Sequence, residues 1–304
     1  MPEISEIIQQ IKDLDLSGYP YFQIQELIRS LGTTSFFVFT LHKGKIITRA
    51  REGGNYLNKN EISYPPVEKC KDCQRASIPN KTMFYGTIVQ EKQPLKETRM
   101  LAASESSSLL RNGIDSVGFK KITFGRWSVI KDINLIVIVD EHNFNEVSNN
   151  ALLTELKNTF DSIPGTEEQK EKYKLILSYF ADEFSKEGIQ KDYEYLVSAL
   201  FSEIITTELG YDGVMYPSVQ LGGQLGFNVA IKPEIVDNNL ILDIVAESTI
   251  YKKKDKSLLL VDKISDMTKW QYVDSSQVTP EIICEELEIN SINELNKTVQ
   301  TPSP

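Results

Sequence analysis

YLVSALFSEIITTELGYDGVMYPSVQLGGQLGFNVAI, residues 195–231, is the stretch that decides the fold. Apolar residues recur at three- and four-residue spacing over 192–209, which predicts a helix, and Gly210 stops it. Two strand-like segments follow, DGVMY and FNVAIKP. The first lies within YDGVMYPSV (211–219), which places two tyrosines, an aspartate and a Pro-Ser pair in a chain with only 2 histidines. A buried strand alternates apolar with polar and rarely carries proline in its middle. The segment is therefore either an edge strand entering a turn or a mount that aims Ser218 at something. We expect Pro217 to end regular pairing and Ser218 to stand at the sheet edge.

Working outward, the C-terminal side is strand-like in LILDIVAESTIY and SLLLVDKI, with KKKDK between them reading as a solvated hairpin turn. An acidic helix over 280–298 and a disordered tail, VQTPSP, complete the chain. On the N-terminal side, helices are predicted over 149–163 and 167–187, the second capped by Thr166 ahead of an acidic first turn. Further back come strands in MFYGTIV, KKITFGRWSVI and NLIVIVD, and a helix in RMLAASESSSLLR (99–111). SFFVFTL (35–41) and KIITRAR (45–51) read as a hairpin turning at HKG. Residues 52–82 are irregular, and two amphipathic helices open the chain. Helices, strands, a helical block and strands again, with no internal repeat, predict an α+β fold with an antiparallel or mixed sheet. The expected organisation is an N-terminal helical extension (1–34), a main domain (35–265) with a helical insertion at about 145–190, and a C-terminal helix and tail (266–304).

Composition narrows the function classes. The chain has 304 residues, enough for a sizeable core, and a net charge of −10. That charge argues against direct nucleic-acid or anionic-membrane binding, while leaving room for a local basic pocket. No apolar run approaches a membrane span, and the N-terminus lacks the basic and apolar regions of a signal peptide. Three cysteines in an odd, sparse set point to a reducing cytoplasm. No GxGxxG or GxxxxGK[ST] loop is present. His42 and His142 both fall in turn-like segments, which disfavours a histidine triad or a histidine-rich metal site. CKDC (70–73) lacks the further ligands zinc needs and the βαβ context of a redox motif.

The remaining candidates are polar residues in apolar surroundings: Arg49 and Arg51 in TRAR, Arg75 in CQRASIPN, Tyr85 in FYG, Glu105 in AASESS, Ser218 in YPSV and Asn228 in GFNVAI. Each has a bland alternative. A strand-end arginine is commonly a surface charge, a strand tyrosine commonly a core residue, and a glutamate in a serine-rich helix commonly solvated.

Taken in order, TRAR, the Pro65-Pro66 pair, the Arg75 segment, FYGT, AASESS, YDGVMYPS and NVAI resemble the RES domain, named for its arginine, glutamate and serine. The resemblance covers roughly 45–235. It implies a fold similar to ADP-ribosyltransferases. It also implies a cytoplasmic bacterial toxin or defence effector that destroys NAD at the nicotinamide–ribose bond, by hydrolysis or phosphorolysis. NAD is then a substrate rather than a cofactor, no metal is required, phosphate is a possible co-substrate, and a cognate antitoxin protein is the expected partner. By the same resemblance Arg49, Glu105 and Ser218 are catalytic, and Arg75, Tyr85, Tyr216 and Asn228 bind substrate. Glu97 in PLKETR competes for the glutamate role, because short family members carry it about a dozen residues after the tyrosine. The two N-terminal helices and the block at 145–190 are additions to a compact domain of this kind, and could lid the site, form a homodimer surface or hold a partner. ADP-ribose transfer to a protein and a non-catalytic binding module are the alternative functions.

The chemistry suits these residue types. Nicotinamide leaves NAD by neutralising its own ring charge, so no general acid is needed. The transition state resembles an oxocarbenium ion, which a nearby carboxylate stabilises. Arginines pair with pyrophosphate through two donors at once. Ser218 is read as a positioning hydrogen-bonder rather than a nucleophile, since no base is evident to activate it.

Overall fold

A computed structural model describes residues 3–32, 36–90, 95–111, 116–144, 151–163, 165–218, 226–266, 273–274 and 279–298. The tail expected to be disordered, 299–304, lies outside the described residues, as do 219–225 of the opening stretch. The helices are α1 (Ile4–Lys12), α2 (Tyr21–Ser30), α3 (Lys59–Ile62), α4 (Leu95–Ser106), α5 (Ser108–Arg111), α6 (Ala151–Asp161), α7 (Glu167–Ser185), α8 (Leu196–Thr207), α9 (Pro233–Asn239) and α10 (Pro280–Leu287). The strands are β1 (Phe37–Leu41), β2 (Ile46–Glu52), β3 (Phe84–Ile88), β4 (Val117–Val129), β5 (Ile133–Val137), β6 (Gly213–Pro217), β7 (Phe227–Ile231), β8 (Leu240–Lys253), β9 (Lys256–Asp266) and β10 (Val273–Asp274). The fold is α+β. Its strand pairing is mixed and mostly antiparallel, with β5 and β6 parallel.

The chain forms two compact units, each assembled from three separate segments. Unit 1 comprises Met1–Lys43, Tyr64–Tyr85 and Val129–Asn239. Its strands run in the order β1-β5-β6-β7. Against them lies a core in which Ile7, Ile11, Ile24 and Ile28 of α1 and α2 meet Phe180 and Phe184 of α7 and Phe201 of α8. Burying each such side chain contributes roughly 1.5–3 kcal/mol. The N-terminal helices, read from sequence as an extension, are thus part of this unit's core. Thr166 caps α7 as expected, its hydroxyl accepting from the Gln169 backbone N–H at 3.3 Å while the Gln169 side chain accepts from Thr166 N–H at 2.9 Å.

Unit 2 comprises Gly44–Ser63, Gly86–Ser128 and Leu240–Pro304. β2 pairs with β3 through Ile47 and Thr48 and, on its other side, with β4 over its whole length. β4 neighbours β8, and β8, β9 and β10 follow in order. The KKKDK segment is the expected hairpin turn: Lys253 faces Lys256, and Lys254-Asp255 make the bend with Lys254 at φ 57°. Ala50, Ile122, Phe124, Ala246 and Ile250 form a core on the sheet face that Ala102 and Ala103 of α4 cover.

Two expectations are corrected. β1 and β2 are not a hairpin: β1 pairs with β5, from Phe37↔Val137 to Leu41↔Ile133, while β2 pairs with β3 and β4. The apparent turn is held elsewhere, since Asp132 accepts from the Lys43 N–H at 2.9 Å and lies 3.0 Å from His42 Nδ1. Nor does Ser218 stand at a sheet edge, for β6 has a neighbour on each side, β5 and β7. Pairing with β7 continues through Pro217↔Phe227, and the Ser218 N–H still donates to the Gly226 carbonyl at 3.0 Å. The ring nitrogen of Pro217 points away from β7, to the side where the β5 register stops at Met215. The Ile138 N–H still donates to the Met215 carbonyl at 2.8 Å, so Pro217 stands where the next parallel bond needs a donor: it ends the β5 ladder, while pairing with β7 continues.

Candidate functional site

In unit 1 the site is built on the β6–β7 pair. Side chains alternate across a strand, so Val214, Tyr216 and Ser218 share one face, and the register puts Ala230 and Asn228 opposite the first two. Val214, Tyr216 and Ala230 belong to the core under α7 and α8, which identifies this as the helix-covered face. Ser218 is 1% exposed and Asn228 5% exposed. The structure therefore brings together three of the residues singled out from sequence, as a row of polar groups on an otherwise apolar face. The Tyr216 ring sits 5.2 Å from that of Phe184, at the end of α7.

Arg75 and Tyr85 join the same neighbourhood through the loop that carries the cysteines. The Arg75 guanidinium donates to the backbone carbonyl of Phe184 and, at 3.0 Å, to that of Lys186. It also lies 5.2 Å from the centre of the Tyr195 ring. The Tyr85 hydroxyl accepts from the Ala76 N–H at 3.2 Å and lies 3.0 Å from Ser77 Oγ. Arg75 thus engages the C-terminal carbonyls of α7, and Tyr85 holds the turn next to Arg75.

In unit 2, Arg49 and Glu105 sit on neighbouring elements. Ser106 Oγ donates to the Ala50 carbonyl at 3.1 Å, stitching the end of α4 to β2 one residue beyond each candidate. Arg49 projects from the face of β2 opposite the one α4 covers. Its partner across the ladder is Gly125, where even a methyl group would meet Trp127 Nε1 at 2.7 Å. Glu105 is half-buried and continues the buried stripe of Thr98 and Leu101 along α4, whereas Glu97 is exposed at the start of the helix. A carboxylate next to a helix C-terminus also opposes the helix dipole. The two glutamates thus differ in exposure and in their position along α4. Arg51, the bland member of TRAR, donates to the Glu61 carbonyl and lies 5.3 Å from the Tyr56 ring.

The other motifs have structural duties. Cys70 and Cys73 are buried, and Cys73 is pushed up to about 11, first by burial and then by Asp192 and Asp72. Among the described residues no group of three or more His, Cys, Asp or Glu side chains is arranged to hold a metal. Likewise, no described helix is long and apolar enough to cross a membrane. A depression of about 290 Å³ in unit 1, lined by Asp140, Glu141, Phe160 and Glu171, involves none of the candidates, and Lys174 Nζ already lies 2.7 Å from Glu141 there.

Sequence reading missed three carboxylates held by distant donors. Glu247 on β8 is 1% exposed and accepts from Lys121 Nζ at 2.8 Å and from the Asn55 N–H at 2.7 Å. Burial works to raise its pKa, and these two donors more than offset that, leaving it below the ordinary carboxylate value. Glu52 is held the same way by Lys120 at 3.0 Å and the Ser108 N–H at 2.7 Å. Asp192 was missed as well: it accepts from the Tyr19 hydroxyl at 2.6 Å and the Cys73 N–H at 3.1 Å. Its pKa is lowered chiefly by the Tyr19 hydroxyl. Each partner is more than fifty residues away, so no local spacing signals these contacts. No protein-family model matches the chain, and no curated protein sequence matches it.

Proposed function

We propose that the chain cleaves the nicotinamide–ribose bond of NAD, by hydrolysis or phosphorolysis, as a cytoplasmic RES-type toxin or defence effector held in check by a cognate antitoxin protein. The observation that carries this reading is the row of Tyr216, Ser218 and Asn228 on the helix-covered face of β6–β7. Buried polar groups must be hydrogen-bonded, so three in one row specify this part of the sheet more closely than apolar packing alone would. Here they fall within the segment where the resemblance to RES domains is most specific.

In this reading Ser218 and Asn228 supply hydrogen bonds to ribose hydroxyls, and Tyr216 presents an aromatic surface with a polar tip. By the resemblance, Glu105 is assigned the negative charge that an oxocarbenium-like transition state needs, and Arg49 the cation for pyrophosphate; both belong to unit 2. The half-burial of Glu105 at a helix end that disfavours anions supports it over Glu97.

The test is nicotinamide release from NAD by the full chain, with and without phosphate. Glu105→Gln should lower the rate by about 10²-fold or more, the scale of removing one electrostatic stabiliser. Glu97→Gln should leave it within about twofold, and Ser218→Ala should lower it by about tenfold. A phosphate-dependent sugar phosphate product identifies phosphorolysis, and free ADP-ribose identifies hydrolysis. Absence of release by folded wild-type protein under both conditions overturns the proposal, and ADP-ribose found attached to a protein would replace it with transferase activity.

A further inference from the structure

We propose that Arg75 is a positioning residue that sets Tyr216 through the end of α7, rather than a cation for the substrate phosphates. The kinetic part of this inference rests on the NAD reading; the structural part does not.

The argument starts at the C-terminus of α7. The last four carbonyls of a helix have no partner within it. A glycine immediately after the last turn commonly supplies the left-handed residue that satisfies them. Here Lys186 follows Ser185 with φ −52° and ψ 127°, an extended geometry, and the first glycine, Gly188 at φ 64°, comes two residues later. The Arg75 guanidinium takes the place of that cap by donating to the carbonyls of Phe184 and Lys186. A planar fork with fixed donors suits two carbonyls flanking one bend, and its charge complements the negative end of a 19-residue helix. Stacking over Tyr195 at 5.2 Å fixes the plane of the fork.

The residue whose carbonyl Arg75 holds is also the one that touches the candidate row. The Phe184 ring lies 5.2 Å from the Tyr216 ring and 6.2 Å from that of Phe201 on α8. Fraying of the last turn of α7 would release Phe184 from this contact, and Tyr216 stands two residues from Ser218 on the same face. Arg75 itself is kept in place by its own turn, because the next two residues, Ala76 and Ser77, are tied to the Tyr85 hydroxyl at 3.2 and 3.0 Å. Arg75 and Tyr85 thus form one brace between the cysteine loop and α7.

The experiment measures thermal unfolding and NAD turnover of the full chain with Arg75→Lys, Arg75→Met, Phe184→Leu and the Arg75→Met/Phe184→Leu double variant. Lysine keeps the charge and loses the fork. Positioning predicts that Arg75→Lys lowers Tm by about 5 °C, most of the Arg75→Met loss, because it is the fork that caps. It also predicts that the double variant loses clearly less than the sum of its two single variants, since both act on one contact. In turnover, kcat should fall by about tenfold with KM within about twofold, and the salt dependence of KM should stay as in wild type. Additive Tm losses, or an Arg75→Lys variant as stable as wild type, would overturn the inference whether or not NAD is turned over. Unchanged stability with KM raised about tenfold and its salt dependence lost would assign Arg75 to the phosphates instead. Wild-type protein that releases no nicotinamide would sink the NAD reading alone, with the Tm cycle still deciding the role of Arg75.

Discussion

The β6–β7 pair of unit 1 and the turn after β2 in unit 2 both bury polar side chains, and they do it in opposite ways. In the turn the groups are charged and matched: buried Glu247 meets Lys121 and the Asn55 N–H, and half-buried Glu52 meets Lys120 and the Ser108 N–H. In the strand pair they are the neutral side chains of Tyr216, Ser218 and Asn228, set in a row by strand alternation. A buried carboxylate persists only when donors compensate its desolvation, so the turn is a staple whose groups are committed to one another. A neutral hydroxyl or amide costs less to bury than a carboxylate, and it can both donate and accept. On the proposed reading, the difference separates groups that only hold the fold from groups that also meet a ligand.

The largest effect should come from breaking the strand pair itself. Gly213 faces Ile231 at the start of β6, and a Cβ there would run into the Ala230 carbonyl oxygen and lie 3.0 Å from Ile231 Cα. These are backbone atoms of a paired strand and cannot step aside. Gly213→Ala should cost about 4 kcal/mol or more, seen as loss of soluble protein or a collapse of the unfolding transition. Gly188→Ala is the control. Its backbone lies at φ 64° with nothing within 4 Å of an added Cβ, so the expected loss is about 1 kcal/mol. Equal losses would mean that β6–β7 pairing is not what the glycine protects.

Breaking the staple should cost less. Glu247→Ala leaves the Asn55 N–H and the Lys121 ammonium without their acceptor, for about 2–3 kcal/mol in chemical denaturation. The pH dependence fixes the cause. The pKa of Glu247 in the folded protein lies below the ordinary value, so its contribution is complete above an unfolded pKa of about 4.3 and disappears as pH falls through the lower folded value. Wild-type stability should therefore decline below about pH 4, and Glu247→Gln should flatten part of that decline. An unchanged acid limb in Glu247→Gln would show that the carboxylate is not the group being titrated.

Smaller still is the cap of α7, the helix whose far end Arg75 holds. Thr166→Ala removes the acceptor of the Gln169 N–H and should cost about 1 kcal/mol in Tm-derived stability. A loss as large as that of Arg75→Met would mean that both ends of α7 matter equally to unit 1.

What was legible in the sequence follows the same division. The strand pair could be read locally: periodicity over 192–209, the stop at Gly210 and the alternation of Val214, Tyr216 and Ser218 all lie within one stretch. The Lys254-Asp255 turn and the Thr166 cap were readable for the same reason. The β1–β2 hairpin was misread because two adjacent strands joined by a glycine-containing turn look alike whether they pair or part. Nothing local says that Leu41 will lie beside Ile133. The proline in β6 was half-readable: it ends pairing with β5, but its nitrogen faces away from β7, where pairing continues, and only the register of both ladders shows that. The helix-capping role of Arg75 was out of reach, since its acceptors are 109 and 111 residues further along the chain. Glu105 was favoured over Glu97 on its serine-rich context; in the structure Glu105 is half-buried and Glu97 exposed, a difference that sequence context did not carry.

The last prediction asks whether the cysteine loop belongs with the committed groups. Cys70 and Cys73 are buried, with Cys70 Sγ 3.6 Å from the Pro66 carbonyl and Cys73 Sγ 4.0 Å from the Tyr21 hydroxyl, while Cys284 on α10 is partly exposed. A thiol reacts as its thiolate. With Cys73 pushed up to about 11, chiefly by burial, at pH 7.5 the thiolate fraction is on the order of one in a thousand or less. Iodoacetamide should therefore alkylate native protein at Cys284 first, and at Cys70 and Cys73 only as the loop opens. Labelling followed by peptide mass analysis reads this directly, and Asp192→Asn should hasten the loop sites by weakening the clamp on the Cys73 N–H. Labelling of Cys73 ahead of Cys284 in folded protein would instead mark the pair as reactive, and would move the loop from the groups that hold the fold to those that act.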